Sequence, residues 1–363
     1  MPVLTISAGR GWLSQKERFG QTIAGNSLKR YTELPVGGLA YNRGASRSYW
    51  YGVTYVQDQH EKALVPNVYH SFLSKKNVTN ELFVQQFFLA NLADRELNKI
   101  ITSSARRDGL LNINQKDFFN IKLFVPQIEE QEKIGEILKS LEKTISLNQE
   151  KLRVQKLSYK YYRDTLIADF QSLSTKINFN SSIWKAVKLK NILKEYVEKT
   201  TTENQTLLLS STNNGIELRD GRVDGTSNIG YKILRKYSLV LSPQNLWLGN
   251  INYNDKFEMG MVSPSYKTYV IQNVNKDYFK HLLRHPYMLY QYGTASVQGA
   301  SVVRRNLDIS AFNNIKLPIP TSTETQKQIA EFLDSILLKV EQQEKYLEDL
   351  KKLKRYLLNN LFV

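Results

Sequence analysis

Four histidines and no cysteine leave this 363-residue chain few groups for metal or nucleophilic chemistry. His281 and His285 stand four apart in a helical pattern, a spacing that can present two imidazoles to one metal ion. No third ligand follows them and Pro286 comes directly after, so packing or surface histidines are the expectation, and no metal site is assigned. His60 and His70 are isolated. The turn Gly9-Arg10-Gly11 lacks a following Gly-Lys-Ser/Thr and is not a phosphate loop. Neither Asn-Pro-Pro-Tyr nor Asp-Pro-Pro-Tyr occurs, so there is no sign of an amino-methyltransferase site. Glu129-Glu130 falls in the first turn of a helix, where carboxylates compensate the helix dipole. The chain is expected to be non-catalytic and to bind no cofactor itself.

Basic and aromatic clusters are more informative. Tyr41-Asn42-Arg43-Gly44-Ala45-Ser46-Arg47-Ser48-Tyr49-Trp50-Tyr51 reads as a loop after a strand. Arginine there can contact phosphates or fork onto guanine. Its counterpart later in the chain is Ser242-Pro243-Gln244-Asn245-Leu246-Trp247-Leu248-Gly249-Asn250, with amides suited to adenine edges in place of arginines. The candidate nucleic-acid contacts of the first half are Arg10, Lys16, Arg18, Arg43, Arg47, Tyr49, Arg106 and Arg107. Those of the second are Arg219, Arg222, Gln244, Asn245, Trp247, Asn250, Arg304 and Arg305. The run 293–301 is a flexible segment able to lie along a backbone.

The elements that must position these residues are written twice. Asn120-Ile121-Lys122-Leu123-Phe124-Val125-Pro126 matches Asn314-Ile315-Lys316-Leu317-Pro318-Ile319-Pro320. Each copy is a short strand ending in proline, followed by a heptad seam. The first seam runs Ile134, Leu138, Leu141, Ile145, Asn148, Leu152 and onward to Phe170. The second runs Ile329, Leu333, Ile336, Val340, Gln343, Leu347 and onward to Leu361. Each carries a polar residue at the same step, Asn148 and Gln343, and an antiparallel pairing would bring these two together. Ser322 or Thr323 can cap the second helix, which at ~1.5 Å per residue would span ~60 Å. Upstream, Val3 to Ser7 matches Leu207 to Ser211 as a strand, and Tyr69 to Leu73 matches Tyr266 to Val270. A helix is expected from Glu81 to about Lys99 and its copy from Asp277 to about Tyr292. Residues 184–196 have no counterpart in the first half.

The expected fold class is therefore α+β: two tandem globular domains, each followed by a long helix, with the helices paired as an antiparallel coiled coil. The boundaries read as a first domain at 1–126, a first helix at 127–170, a linker at 171–181, a second domain at 182–320 and a second helix at 321–363. The net charge of +16 is carried unevenly. Both helical stretches are neutral, whereas residues 1–126 carry 16 basic against 9 acidic groups and residues 171–323 carry 19 against 10. A basic globular half with a neutral rod points to a polyanionic partner, nucleic acid foremost. Met1-Pro2-Val3-Leu4-Thr5-Ile6 shows no secretory pattern, and no apolar run approaches the ~18 residues of a membrane span. With no cysteine, the expectation is a cytoplasmic protein without a membrane partner.

The doubled motif, with Glu130-Gln131 and Ile134 after its first copy and Thr325-Gln326 and Ile329 after its second, resembles the specificity subunit of type I restriction-modification systems. The openings Leu4 to Trp12 and Leu208 to Ile216 are also similar to that family's. The likeness covers nearly the whole chain and is to a subunit shortened at the start of its first target recognition domain. It implies two target recognition domains that read a bipartite site on double-stranded DNA, held apart by paired helices. It further implies docking of methyltransferase (M) subunits with S-adenosylmethionine and of a motor-nuclease (R) subunit with ATP, the specificity subunit itself being non-catalytic. The alternatives are a defective or orphan specificity subunit, and a helical interaction scaffold with non-specific DNA affinity.

Overall fold

Short apolar runs punctuated by glycine and asparagine fold as short strands in both halves, and the two heptad seams fold as long helices. A computed structural model describes residues 1–102, 109–167, 183–219, 227–298 and 305–362. The chain divides into two compact units, Met1–Glu150 with Lys345–Val363, and Lys151–Glu344. The division falls inside both long helices. The expected linker at 171–181 lies outside the described residues, as does Phe170.

In the first unit, β1 (Leu4–Ser7) turns into antiparallel β2 (Gly11–Ser14), and Ser14 caps α1 (Gln15–Phe19) in a reciprocal pair with Glu17. β3 (Thr32–Pro35) pairs with β6 (Lys62–Val65), while β4 (Leu39–Asn42) lies between β5 (Val53–Val56) and β7 (His70–Phe72). Leu4, Ile6, Trp12, Leu34, Val53 and Val65 form one buried cluster. The Trp12 indole satisfies its N–H on the Val56 carbonyl at 2.9 Å. A second cluster joins Leu39, Tyr41 and Val56 to α2 (Glu81–Leu89), α3 (Asp94–Ile100) and α4 (Gln115–Phe119). The single helix expected from Glu81 to about Lys99 is thus two helices. Asn91 adopts φ +61°, a left-handed conformation that asparagine tolerates and that ends α2. The long α5 (Ile128–Leu166) follows.

In the second unit, β8 (Trp184–Lys188) and β9 (Leu193–Tyr196) precede β10 (Leu207–Thr212) and β11 (Gly215–Leu218). β12 (Lys232–Arg235), β13 (Ser238–Leu241), β14 (Ile251–Tyr253), β15 (Met259–Val262) and β16 (Lys267–Ile271) complete two four-stranded sheets, ordered β11-β10-β15-β12 and β14-β13-β16-β9. Here too the expected single helix is broken, into α6 (Lys276–Leu282) and α7 (Pro286–Thr294). Pro286 has no N–H to continue α6 and instead starts α7, with His285 as the cap. β17 (Ser296–Gln298), β18 (Arg305–Leu307), α8 (Ile309–Asn314), β19 (Lys316–Pro320) and α9 (Thr323–Asn360) follow, and Ser322 Oγ accepts from Thr325 N at the start of α9.

The glutamine of each repeated motif explains how a globular layer holds its helix. Gln131 is 1% exposed. Its Oε1 accepts from Asn80 N at 2.9 Å, and its Nε2 donates to Val78 O at 3.0 Å and Pro126 O at 2.9 Å. Asn80 is the cap of α2. In the second unit Gln326 Oε1 accepts from Asn275 N at 2.8 Å and its Nε2 donates to Pro320 O at 2.8 Å, with Asn275 capping α6. One amide thus ties the start of the long helix to the start of the helix it crosses. At the first crossing a Cβ on Gly135 would lie 2.8 Å from Leu82 Cβ, so glycine permits the approach.

Inside each unit the long helices run antiparallel. In the first, Ile134 and Leu138 pack with Leu357, Leu361 and Phe362, and Lys354 pairs with Glu142 at 2.7 Å. In the second, Tyr162 meets Phe332 edge-on and Lys156 pairs with Glu344 at 2.6 Å. Of the seam positions, Ile134, Leu138, Leu141, Leu333, Val340, Gln343 and Leu347 are buried. Ile145, Asn148, Leu152, Ile329 and Ile336 are half-buried. Asn148 donates back to Thr144 O at 2.7 Å.

The two halves differ at their last strand. β19 is a strand because β8 pairs with it, from Lys316↔Lys188 to Pro320↔Trp184. Its copy at residues 122–126 forms no strand, contrary to the expectation of a final strand in both halves. Among the described residues nothing in the first unit takes the place of β8. A strand without a neighbour has no ladder to hold it.

The amide tie makes a direct prediction. Gln131→Ala leaves buried backbone groups without partners and should lower stability by about 1–3 kcal/mol, as should Gln326→Ala. Chemical denaturation of the two variants beside the parent chain checks this.

Candidate nucleic-acid interface

In each unit the first hairpin is tied by polar contacts to the strand, or the residue opening it, that follows the candidate loop. In the first, Tyr55 Oη donates to Ala8 O at 2.8 Å, and Ala8 and Tyr49 pack on the same apolar cluster. The β1–β2 turn therefore packs on β5, the strand into which the loop after β4 leads. Gly52 takes φ +82° there, and a Cβ would fall 2.4 Å from Asn42 O, so the loop closes tightly on its own strand. In the second unit Ser211 Oγ donates to Asn250 Oδ1 at 2.7 Å, and Asn250 Nδ2 donates to Ser211 O at 2.9 Å. Asn252 Nδ2 adds bonds to Ser211 Oγ and Thr212 O, both at 2.8 Å. Different residues bring the same pair of segments together.

Those ties sort the candidates. Arg43 is spent on structure: its Nε donates to Val68 O at 3.1 Å and its Nη1 to Ile113 O at 3.2 Å. Asn250 is buried in the tie just described. Arg18 donates to Ile6 O at 2.6 Å and lies over the Phe19 ring. Tyr49 is half-buried against the core. Arg10, Lys16 and Arg47 are exposed, and so is Trp50, at 70%. In the second unit Arg219 and Gln244 are exposed, and Asn245 Nδ2 reaches Ser242 Oγ at 3.4 Å. Arg305 in β18 stacks its guanidinium 4.3 Å from the Trp247 ring centroid, a contact that orients the cation. Arg106, Arg107, Arg222 and Arg304 lie outside the described residues, as do residues 299–301 of the run 293–301.

The paired histidines do not share a helix. His281 sits near the end of α6, and His285 caps α7, where its Nδ1 accepts from Tyr287 N at 3.3 Å. His281 Nδ1 lies 3.0 Å from Tyr159 Oη on α5, and its Nε2 lies 3.1 Å from Asp334 Oδ1 on α9. Lys280 reaches the same Asp334 oxygen at 2.8 Å. Burial alone would raise the Asp334 carboxyl, but His281 and Lys280 more than offset it and hold the pKa below the usual value of 3.8. Burial, opposed by Arg163, pushes the Tyr159 phenol up to about 12. These contacts tie the second globular layer to both long helices. Among the described residues no group of three or more His, Asp or Glu could hold a metal ion. Nor is any helix among them long and apolar enough to cross a membrane.

Sequence reasoning missed the glutamine tie, although Gln131 and Gln326 stand at matching positions of the repeat. It also missed Arg284, which donates to Asn252 Oδ1 at 2.7 Å and so supports the Ser211 tie from α6's end. A lone arginine in an apolar helical stretch, Leu282-Leu283-Arg284, was the available signal.

A family model described as the type I restriction modification DNA specificity domain matches residues 48–155 and 176–352. Among solved structures, the chain is similar to the S subunit of the type I restriction-modification system from M. genitalium. That likeness has 15% sequence identity, covers 92% of this chain and 85% of the other, and has a TM-score of 0.58. The HsdS subunit from Thermoanaerobacter tengcongensis is similar at 14% identity, covering 91% and 81% of the two chains with a TM-score of 0.41. No match was found among curated proteins.

Two outcomes separate structural from exposed residues here. Arg43→Ala should cost about 1–3 kcal/mol of stability, while Arg47→Ala should stay within about 0.5 kcal/mol of the parent chain in the same denaturation experiment. The lowered Asp334 pKa contributes stability above the unfolded carboxylate value, and this is lost as pH falls through the folded value. Asp334→Asn should therefore be less stable near neutral pH and show a shallower loss of stability below about pH 4. Unfolding midpoints measured from pH 2 upward give the comparison.

Proposed function

The chain belongs to the type I restriction-modification DNA specificity family, and from that premise we propose that each of its units reads one part of a split DNA site. One observation carries this reading. The same two segments are tied together in both units, yet the side chains they leave exposed differ. The first unit offers Arg10, Arg47 and Trp50, and the second offers Arg219, Gln244 and the Trp247–Arg305 stack. A position shared by both copies but filled with different side chains suits two surfaces that read different base sequences. The excess positive charge of the globular halves supplies sequence-independent, salt-dependent affinity.

In this reading the long helices hold the recognition surfaces, and the helices' neutral charge keeps them from competing for DNA. Chemistry belongs to partners: methyltransferase subunits with S-adenosylmethionine, and a motor-nuclease subunit with ATP. DNA is a double helix with a twofold-related backbone, so a near-repeat within one chain suits two similar phosphate surfaces.

The test is a map of modified bases after co-expression with a cognate methyltransferase subunit. The expected target is two short parts with a constant gap. Trp247→Ala should relax base preference in one part only, by about 1–3 kcal/mol at the affected position. Arg10→Ala with Arg47→Ala should weaken DNA binding and reduce the slope of log Kobs against log salt by about 1–2. Equal binding to all sequences, with the assembled complex intact, would refute the reading.

A further inference from the structure

We propose that Arg305 is the residue through which the second unit requires a guanine, with Trp247 holding its guanidinium in place. This rests on the split-site reading above and names one base of the site. Trp247 lies on a short 3-10 helix, Pro243–Leu248, anchored by Leu246 in the main apolar cluster of the unit. Gly249 closes that helix at φ +83°, its N–H donating to Leu246 O at 2.7 Å. Arg305 lies on β18, which pairs with β17 from Ser296↔Leu307 to Gln298↔Arg305. Ser296 Oγ donates to Tyr292 O at 2.7 Å and Asp308 N to Ala295 O at 2.9 Å, so the foot of this hairpin is fixed to the end of α7. Leu307 packs on the same apolar cluster as Leu246. Two anchored elements, far apart in sequence, thus place the guanidinium 4.3 Å from the indole centroid.

The stack decides which part of the cation is offered. A guanidinium lying on a ring face has lost most of its freedom to turn, so less is lost when it forms hydrogen bonds. Arg305 Nε is buried without a hydrogen-bond partner, while the side chain as a whole is half-buried. The two terminal nitrogens remain at the surface. They make a planar fork of N–H donors with no acceptor.

In the major groove guanine alone shows two acceptors on one base, O6 and N7. Adenine sets an amino donor beside its N7, thymine sets a methyl beside its O4, and cytosine shows an amino donor. A donor-only fork therefore fills both its bonds on guanine and on no other base. An arginine free to swing serves a phosphate equally well and carries no sequence information. The indole beneath Arg305 is what separates the two roles.

The test compares the parent chain with Arg305→Lys, Arg305→Gln, Trp247→Phe and Trp247→Ala, each co-expressed with a cognate methyltransferase subunit. Modified bases are mapped for each, and DNA binding by each assembled complex is followed against salt. The expected parent motif has one G·C pair that Arg305→Lys makes degenerate, with every other position and the gap unchanged. Lysine keeps the charge and loses the fork, so discrimination at that pair falls roughly 5- to 150-fold while the salt slope stays as it was. Arg305→Gln and Trp247→Ala relax the same pair, and Trp247→Phe, which keeps a ring face, retains it. An unchanged motif in Arg305→Lys, or relaxation at a position other than a G·C pair, overturns the inference and leaves the split-site reading standing. So does an Arg305→Gln complex that binds all sequences more weakly, with a salt slope lower by about 1 and no relaxed position, since that is the mark of a phosphate contact. A parent chain with no split motif overturns the reading and this inference with it.

Discussion

A buried primary amide is the constraint on which the arrangement turns. A glutamine side chain offers two donors and an acceptor in one plane; Gln131 spends all three on backbone groups, and Gln326 its acceptor and one donor. Each bonds the proline carbonyl that precedes its own helix and the amide of the asparagine that caps the crossing helix. No apolar residue can do this, because the chain must leave a strand or loop, turn, and start a long helix within a few residues. Those residues cannot all pair among themselves. With the amide in place the angle at which the long helix leaves its globular layer is set by hydrogen bonds on both sides. Everything carried further along the helix inherits that angle.

From this follows a division of labour visible in the charges. The helices carry equal numbers of basic and acidic groups and meet through apolar seams with ion pairs at their margins. The globular layers carry the excess cations on loops. Tyr159, His281 and Asp334 reinforce the attachment in the second unit, joining a helix of the layer to both rods. The first unit uses Phe83, Phe362 and the glycine contact instead. The same architectural requirement is met by a polar network in one copy and by aromatic packing in the other, which is why the two look less alike in side chains than in backbone.

Much of this was legible in the sequence because it is periodic or repeated. The seams gave both long helices, the doubled motif gave the tandem organisation, and the charge balance gave the partner class. What was not legible depends on distant neighbours. Nothing near Arg43 in the chain announces that its guanidinium reaches Val68 and Ile113 carbonyls, so it read as a free cation like Arg47. Asn250 read as a base-reading amide, but Ser211, far away in sequence, claims it. The break after Leu89 rests on a left-handed asparagine, a conformation no local pattern announces. The missing strand at residues 122–126 shows the same limit from the other side. An almost unchanged sequence takes a strand in one unit and not in the other, because strand formation is a property of the pair.

The composition of the units has a consequence for how the chain is made. The first unit is discontinuous: Met1–Glu150 is completed by Lys345–Val363, with residues 151–344 between. A ribosome adding ~5–20 residues per second needs roughly 10–40 s to cross that interval. Throughout it the nascent first layer holds Ile134 and Leu138 without Leu357, Leu361 and Phe362 to cover them. The second unit, being continuous, can close as soon as Glu344 emerges. Order of synthesis and order of completion are therefore reversed. The half translated first is the last to finish, and it is the half that spends longest exposed to chaperones and proteases.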